Sequence, residues 1–135
     1  MSYPITDIEG INREVASVLK SAKIRSTVRL LEAARTAKGR KALAEKTGFT
    51  EQQLLCWANV ADRMRVRGIS KEYAELLQAA GVSTVKELKF RNPANLARAM
   101  ADANKKRKLV RLVPSERLVS RWIESAKTLP LKISY

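Results

Sequence analysis

The apolar residues of this chain follow two nearly identical helical patterns, 58 positions apart. One pattern begins after Gly10 and the other begins after Gly68. From the first isoleucine of each, apolar residues recur after four, seven, eight and eleven positions, which is one face of an α-helix. The aligned pairs are Ile11 with Ile69, Val15 with Tyr73, Val18 with Leu76, Leu19 with Leu77, Ala22 with Ala80, and Ile24 with Val82. The pattern therefore predicts one amphipathic helix after each glycine.

Turn and capping residues predict where these helices end and where the next ones begin. Gly81 stands where a helix C-terminus favours a left-handed residue, whereas the first copy has Lys23 at that position, a poorer fit. Ser26 and Thr84 then suit the N-cap of a second, short helix in each copy. Each copy is thus predicted to be a helix, a tight connection and another helix.

A second repeat, offset by 65 positions, predicts the last helix of each copy. Thr50 and Ser115 suit its N-cap, and each is followed by Glu in the first turn. The matched apolar residues are Leu54, Trp57, Ala58, Ala61 and Met64 in the first copy and Val119, Trp122, Ile123, Ala126 and Leu129 in the second. The larger offset indicates about seven extra residues in the second copy, which we place between Ala103 and Ser115.

Residues 38–46 and 93–104 predict one more helix in each half, which makes about eight helices, no strand and an all-α fold. Repeat one covers about residues 5–64 and repeat two about residues 65–129. A repeat this short buries its apolar face poorly alone, so we expect one domain, residues 1–135, whose halves pack with pseudo-twofold symmetry. We also expect Gly39 and Gly48 to break or end helices, and the terminal segments MSYP and PLKISY to be loosely held.

The net charge of the chain indicates which kinds of partner it binds. The chain has 27 Lys and Arg against 13 Asp and Glu, a net charge of +14, and no histidine. Such an excess destabilises a fold through self-repulsion and is typical of proteins that bind DNA, RNA or an anionic membrane surface. A basic surface that serves solubility or a protein partner is the alternative. Divided after Asp62, the chain carries +3 before (10 basic, 7 acidic) and +11 after (17 basic, 6 acidic).

The repeated segments IEGIN at 8–12 and VRGIS at 66–70 resemble the helix-hairpin-helix motif, which reads apolar-x-Gly-apolar-Gly before a helix. In that motif a small residue of the helix packs on the hairpin, and Ala16 and Ala74 match this position. Over about residues 5–129 the chain resembles a bacterial family of small proteins, a domain of unknown function with paired helix-hairpin-helix repeats.

The resemblance implies an anion site in which hairpin N–H groups and the N-terminus of the next helix bind phosphate without reading the bases. The implied contacts are Gly10, Asn12 and Arg13 in the first hairpin and Arg65, Arg67, Gly68, Ser70 and Lys71 in the second. Such units also serve as packing or protein-docking elements.

This chain departs from the motif at its second glycine, which is Asn12 in one copy and Ser70 in the other. Asn tolerates a left-handed backbone better than Ser does, and either side chain adds bulk where a phosphate would lie. We expect the second hairpin to be the stronger site because cations surround it, whereas carboxylates surround the first. The cations are Arg63, Arg65, Arg67 and Lys71, and the carboxylates are Asp7, Glu9 and Glu14.

The densest cationic run is Lys105, Lys106, Arg107 and Lys108, followed by Arg111. It falls in the segment that we interpret as the insertion. We expect this run to bind a polyanion, and a plain solvated loop is the alternative. Trp57 and Trp122 lie on apolar stripes and are predicted to be core residues, with stacking on nucleic-acid bases as the alternative.

Catalysis finds little support in the residue types. The chain has no imidazole, and its only cysteine, Cys56, has no base near it in the sequence. It also lacks a phosphate-binding loop or a cluster of cysteines, so we expect no enzyme activity, no cofactor and no metal.

We therefore predict a non-catalytic protein that binds DNA, double-stranded DNA above all, or structured RNA, largely without sequence preference. The alternative is a protein-interaction module that docks an acidic partner. No apolar run reaches the length of a membrane span and no signal peptide is evident, so we expect a cytoplasmic, even nucleoid-associated, protein without a membrane partner.

Overall fold

A computed structural model describes residues 2–135 and shows an all-helical chain. A short 3-10 helix at Ile5–Asp7 precedes eight α-helices among these residues. They are α1 (Arg13–Ser21), α2 (Thr27–Ala34), α3 (Ala37–Thr47), α4 (Glu51–Arg63), α5 (Lys71–Ala79), α6 (Val85–Leu88), α7 (Pro93–Arg107) and α8 (Glu116–Thr128). The only extended pairing in the described part of the chain is an isolated antiparallel bridge between Pro4 and Ser26. The predicted all-α class and the predicted number of helices are confirmed.

The chain divides into two compact units. One comprises the described residues up to Arg65 together with Lys132–Tyr135, and the other is Val66–Leu131. The first unit holds α1 to α4 and the second holds α5 to α8. Each unit thus contains four of the eight helices.

In the first unit, α2 packs against both α3 and α4, and α3 packs against α4. Leu30, Leu54 and Ala58 are fully buried there. Gly39 lies inside the first turn of α3, so the prediction that it breaks a helix is wrong. A Cβ atom at Gly39 would stand 2.4 Å from the carbonyl oxygen of Ala33 in α2, so glycine allows the two helices to approach closely. Gly48 ends α3 in a left-handed conformation, as predicted.

In the second unit, α7 packs against α5 and α8, and α6 packs against α8. The core between these helices is mainly apolar. Its fully buried members include Leu76, Leu77, Leu96, Met100, Val119 and Trp122. Pro93 occupies the first turn of α7 after an Asn92 cap, which confirms the predicted start of that helix.

The predicted helix starts and ends recur in both units. Each predicted cap accepts a hydrogen bond from a backbone N–H of its helix: Ser26 from Arg29, Thr50 from Gln53, Thr84 from Glu87 and Ser115 from Leu118. At the exit of α1, Ile24 N donates to Leu19 O at 2.9 Å, and at the exit of α5, Val82 N donates to Leu77 O at 2.9 Å. Lys23 adopts φ 67° where Gly81 has φ 95°, so lysine accepts the left-handed position here.

The burial of the aligned apolar residues also repeats. Five of the six aligned pairs share the same degree of burial, and the exception is the pair Val18 and Leu76. Val18 is 38% exposed, whereas Leu76 is fully buried. The aligned apolar residues therefore occupy equivalent positions in the two units, except that Val18 is exposed in the first unit.

The predicted insertion is partly helical. α7 continues to Arg107, beyond the predicted end at residue 104, and has 15 residues against 11 in α3. Lys108 ends it at φ 51°. The cations at positions 105–107 therefore lie on the last turn of a helix rather than in a loop, where positive charge stabilises the helix dipole.

Both terminal segments are hydrogen-bonded within the first unit, so the prediction that they are loosely held is wrong. Thr27 N donates to Tyr3 O at 2.9 Å, and Tyr3 N donates to Thr27 Oγ1 at 3.1 Å. Ser134 N donates to Arg35 O at 2.7 Å, and buried Arg40 donates to Ser134 O at 2.8 Å. Met1, the first residue of MSYP, lies outside the described residues.

Candidate nucleic-acid interface

The two repeated segments form the same tight turn. Ile11 N donates to Ile8 O at 3.1 Å, and Ile69 N donates to Val66 O at 3.1 Å. The third residue of each turn is the glycine, with φ 90° at Gly10 and φ 93° at Gly68. A four-residue turn with positive φ at its third position favours glycine there, as in a type II turn. The repeated phrase in the sequence is thus a repeated turn in the structure.

Each hairpin glycine also lies against a tryptophan from the last helix of its own unit. A Cβ atom at Gly68 would stand 3.2 Å from Trp122 Nε1, and one at Gly10 would stand 3.4 Å from Trp57 Nε1. Both tryptophans are buried, which confirms the core prediction. A Cβ atom would therefore be tight against the indole at Gly68 and in ordinary contact with it at Gly10, and the positive φ favours glycine at both positions. The matched spacing of the tryptophans was the only sequence signal of this contact.

The residues that replace the second glycine of the motif have extended backbones. Asn12 has φ −80° and ψ −175°, and Ser70 has φ −96° and ψ −166°. The expectation that this position needs a left-handed residue is wrong, because both residues are ordinary helix N-caps. Asn12 Oδ1 accepts a hydrogen bond from Val15 N at 2.9 Å, whereas the Ser70 side chain makes no capping hydrogen bond. The backbone N–H groups at the start of α5 therefore donate no hydrogen bond to the N-cap side chain, whereas Val15 N at the start of α1 does.

The exposed charges at the tips of the two hairpins differ in sign. The second residue of the turn is Glu9 in the first unit and Arg67 in the second, and both are exposed. The first residue of the following helix is a cation in both units, exposed Arg13 and exposed Lys71. The second hairpin thus presents two cations, and the first presents one cation and one carboxylate.

Two arginines that were expected beside the second hairpin are held by the protein instead. Arg63 is 1% exposed at the end of α4, so it does not present its charge to solvent. Arg65 forms an ion pair with buried Asp62 at 2.7 Å. Their charges serve the first unit, and the exposed cations of the second hairpin are Arg67 and Lys71.

The basic run lies in the second unit, and its residues Lys106 and Arg107 are at the other end of α5 from the hairpin. Lys106 and Arg107 line a surface cleft of about 400 Å³ together with Asp102 and with Ala79 and Ala80 at the end of α5. The five cations of the run, Lys105, Lys106, Arg107, Lys108 and Arg111, are all exposed. Because α5 has nine residues, the two clusters are separated by a helix about 13 Å long.

The segment after α7 returns to the first turn of α5. Asn104 fixes its beginning, since its side chain donates to Val110 O at 2.9 Å and accepts from Val110 N at 3.0 Å. Further on, the Tyr73 hydroxyl lies 3.5 Å from Leu112 O, which it can approach as a donor. Arg111 precedes Leu112 directly, so this cation belongs to the end of α5 that carries the hairpin.

The charge is shared more evenly between the units than the sequence division suggested. The first unit has 13 basic and 7 acidic residues, +6, and the second has 14 basic and 6 acidic residues, +8. The difference from the earlier division arises because Arg63, Arg65 and Lys132 belong to the first unit. Both units therefore carry a net positive charge.

Among residues 2–135, no helix combines the length and the apolar character that a membrane crossing needs. In the same part of the chain, no group of three or more Cys, Asp or Glu side chains is arranged to hold a metal ion. Cys56 is exposed on α4.

Residues 9–129 match the model of a protein family described as a domain of unknown function, DUF4332. The chain belongs to this family. The DUF4332 match begins inside the first hairpin and ends one residue after α8, so all eight α-helices of the described residues lie within it. No curated protein and no solved structure gives a significant match to the chain.

Proposed function

We propose that this DUF4332 protein binds nucleic acid without catalysis, favouring double-stranded DNA over structured RNA, through phosphate contacts that do not read the base sequence. The resemblance of both turns to the helix-hairpin-helix motif supports this proposal. In that motif the backbone N–H groups near a helix N-terminus bind phosphate oxygens, and the helix dipole favours the negative charge.

One observation carries the proposal: the same turn is built twice, and the second copy carries the charge and the open helix start that phosphate binding requires. Arg67 and Lys71 are exposed on either side of Gly68. The first N–H groups of a helix have no partner within the helix, and the Ser70 side chain does not cap them in α5. A phosphate beside this turn would receive both backbone donors and cationic side chains.

The basic run supplies a second contact region in the same unit. Its residues Lys106 and Arg107 are separated from the hairpin by the length of α5, about 13 Å, which corresponds to about four base pairs along a duplex. Contacts at both ends of α5 would therefore reach phosphates several nucleotides apart.

A specific observation supports a second candidate function, a module that docks an acidic protein. Phe90 is 76% exposed and Leu112 is 78% exposed, and both are next to cations in the chain. Lys89 Nζ lies 5.7 Å from the centre of the Phe90 ring. Exposed apolar side chains among cations suit a partner that offers both carboxylates and an apolar contact.

The test is a binding assay with duplex DNA, single-stranded DNA and RNA over a series of salt concentrations. We expect the logarithm of the affinity for duplex DNA to fall linearly with the logarithm of the salt concentration, by about 0.9 per neutralised phosphate. Polyglutamate serves as a competitor that carries charge without phosphate. Affinity for DNA that does not change with salt, or that polyglutamate abolishes at equal charge, would contradict the proposal and favour the docking module.

A further inference from the structure

We infer that the first unit contains a second anion site, an open groove along α1 that binds a phosphate group. The groove, called the α1 groove below, has a volume of about 660 Å³, which is in the size range of small-molecule sites. Its polar lining consists of Thr6, Arg13, Ser17, Lys20, Ser21 and Arg25. This inference goes beyond the proposed function, because the groove runs along α1, shares only Arg13 with the contacts implied for the first hairpin, and is tested with a small anion.

The cations of the α1 groove converge because of helix geometry. Arg13, Ser17, Lys20 and Ser21 follow one another at intervals that place them on one face of α1. Arg25 joins them after the left-handed turn at Lys23 redirects the chain. All three cations are exposed, so their charges face solvent.

Among the described residues, no carboxylate lines this groove. Glu9 and Glu14 are close in sequence but are not among its lining residues, and neither is Asp7. Three cations that share a surface without a counter-charge repel one another, and an anion with several oxygens relieves that repulsion. Arginine and lysine are also the side chains that bind phosphate most strongly.

Hydroxyl groups complete the lining. Ser21 Oγ donates to Ser17 O at 3.1 Å, and the Thr6 and Ser17 side chains offer further O–H donors at the exposed edge of the groove. Ile11 and Ala16 lie beneath them as buried, apolar residues. A cluster of cations and hydroxyls over an apolar base suits a phosphate group, whose three terminal oxygens accept several hydrogen bonds at once.

The second unit shows that the fold does not require this chemistry. At the positions 58 residues later, the same face of α5 carries Lys71, Glu75, Gln78 and Ala79, and Ser83 follows the helix in the place of Arg25. The apolar residues beneath are retained, as Ile69 and Ala74, whereas two of the three cations are lost and one carboxylate is gained. The set of three cations therefore belongs to the α1 groove alone and not to the shared architecture.

The test titrates the full chain with inorganic pyrophosphate at constant ionic strength and follows the Nε–H signals of Arg13 and Arg25 by NMR. We expect saturable shifts at both side chains. The double variant Lys20→Gln with Arg25→Ser, which copies Gln78 and Ser83, should weaken pyrophosphate binding by about tenfold or more, because two charge-assisted contacts are lost. The double variant Lys38→Gln with Lys41→Gln, on exposed positions of α3, lowers the net charge equally and should bind as the wild type does.

A second titration, with a short DNA duplex, identifies the source of the phosphate. If the groove binds a nucleic-acid backbone, the duplex shifts the same arginine signals and Lys20→Gln with Arg25→Ser weakens duplex binding too. If the groove binds a small phosphorylated molecule, pyrophosphate shifts the arginine signals and the duplex does not. Shifts that never saturate, or equal pyrophosphate affinity in the wild type and the Lys20→Gln, Arg25→Ser variant, would overturn the inference. A failure of the proposed function alone would leave pyrophosphate binding intact while the duplex does not bind.

Discussion

The indole nitrogen of Trp122 lies 3.2 Å from the point where a Cβ atom on Gly68 would stand. The tryptophan comes from α8 and the glycine from the turn before α5, so this contact joins the two ends of the second unit. Trp122 Nε1 is buried and has no hydrogen-bond partner among the described residues. The indole is therefore held by packing rather than by a hydrogen bond. An unpaired buried donor costs about 1–3 kcal/mol, which the packing must offset.

Substitution of Gly68 by alanine should destabilise the second unit for two separate reasons. The positive φ costs about 1–2 kcal/mol for a residue with a Cβ, and contact with the indole adds about 1–3 kcal/mol. Gly48→Ala is the matched control, because Gly48 also has positive φ, 84°, but a Cβ there meets nothing within 4 Å. Chemical denaturation should therefore show a larger loss for Gly68→Ala than for Gly48→Ala. Equal losses would mean that the indole moves aside without cost.

Removal of the Trp122 side chain should lower the free energy of unfolding by about 3–5 kcal/mol, as large-to-small core changes do. Trp122 is 1% exposed and also packs on Tyr73, with ring centroids 5.1 Å apart. Lys106→Ala, at an exposed position of α7, should leave the melting temperature nearly unchanged. A Trp122→Ala variant that melts as the wild type does but no longer binds nucleic acid would indicate that Trp122 stacks on bases and is not a core residue.

The charge at the tip of each turn should control DNA binding. Arg67→Glu is expected to weaken duplex binding by about tenfold or more and to reduce the salt slope by about one unit, because one phosphate contact is lost. The reverse change in the first unit, Glu9→Arg, should strengthen binding. Lys38→Glu on α3 changes the net charge as Arg67→Glu does and is the control. The same loss for Arg67→Glu and Lys38→Glu would show that only the total charge matters.

Arg65 should behave as a structural residue rather than as a phosphate ligand. Its ion pair with Asp62 is largely buried, so Arg65→Ala removes a close cation from a buried carboxylate and should destabilise the first unit by about 1–3 kcal/mol. The slope of DNA affinity against salt should stay as it is in the wild type. A lower slope together with unchanged stability would restore Arg65 to the binding surface.

The sequence predicted what depends on local chemistry and periodicity. Helix starts at Ser26, Thr50, Thr84 and Ser115 follow from side chains that cap their own backbone, and the core follows from spacing. The packing of the two halves about a pseudo-twofold axis stays a prediction.

The environment of individual charged side chains was not predictable from the sequence. Arg63 and Arg67 are four positions apart in one basic stretch, yet the first is buried and the second is exposed. The α1 groove was missed because its cations are interleaved with acidic and apolar residues along the chain. They come together only once α1 and the turn at Lys23 have formed. The sequence signal that was available is the helical spacing of Arg13, Ser17, Lys20 and Ser21.

The contact between Lys132 and Glu32 should make the stability of the first unit decrease at low pH. A hydrogen bond from Lys132, aided by the positive charges of Lys132 and Arg35, lowers the pKa of Glu32 from its usual range. A lowered carboxyl pKa stabilises the fold above the unfolded pKa, near 4.3, and this stabilisation is lost as the pH falls through the folded pKa. Glu32 is 46% exposed, so the effect should be small and should weaken with salt.

Lys132→Gln tests this linkage. The pKa of Glu32, followed by NMR titration of its carboxyl carbon, should rise towards its usual value in the variant. The variant should melt below the wild type at neutral pH, and the two melting temperatures should converge as the pH falls below the folded pKa of Glu32. A Glu32 pKa that is the same in both proteins would contradict the contact.

Because residues 132–135 belong to the first unit, the chain completes its two units in an order opposite to their order in the sequence. The second unit, Val66–Leu131, is one continuous stretch, whereas the first gains its last segment only after the whole second unit has been made. The first unit therefore cannot form the hydrogen bond from Arg40 to the carbonyl of Ser134 until the last residues of the chain are present. A split of this protein at the boundary between its repeats would therefore give one half with all its own residues and one half without its final segment.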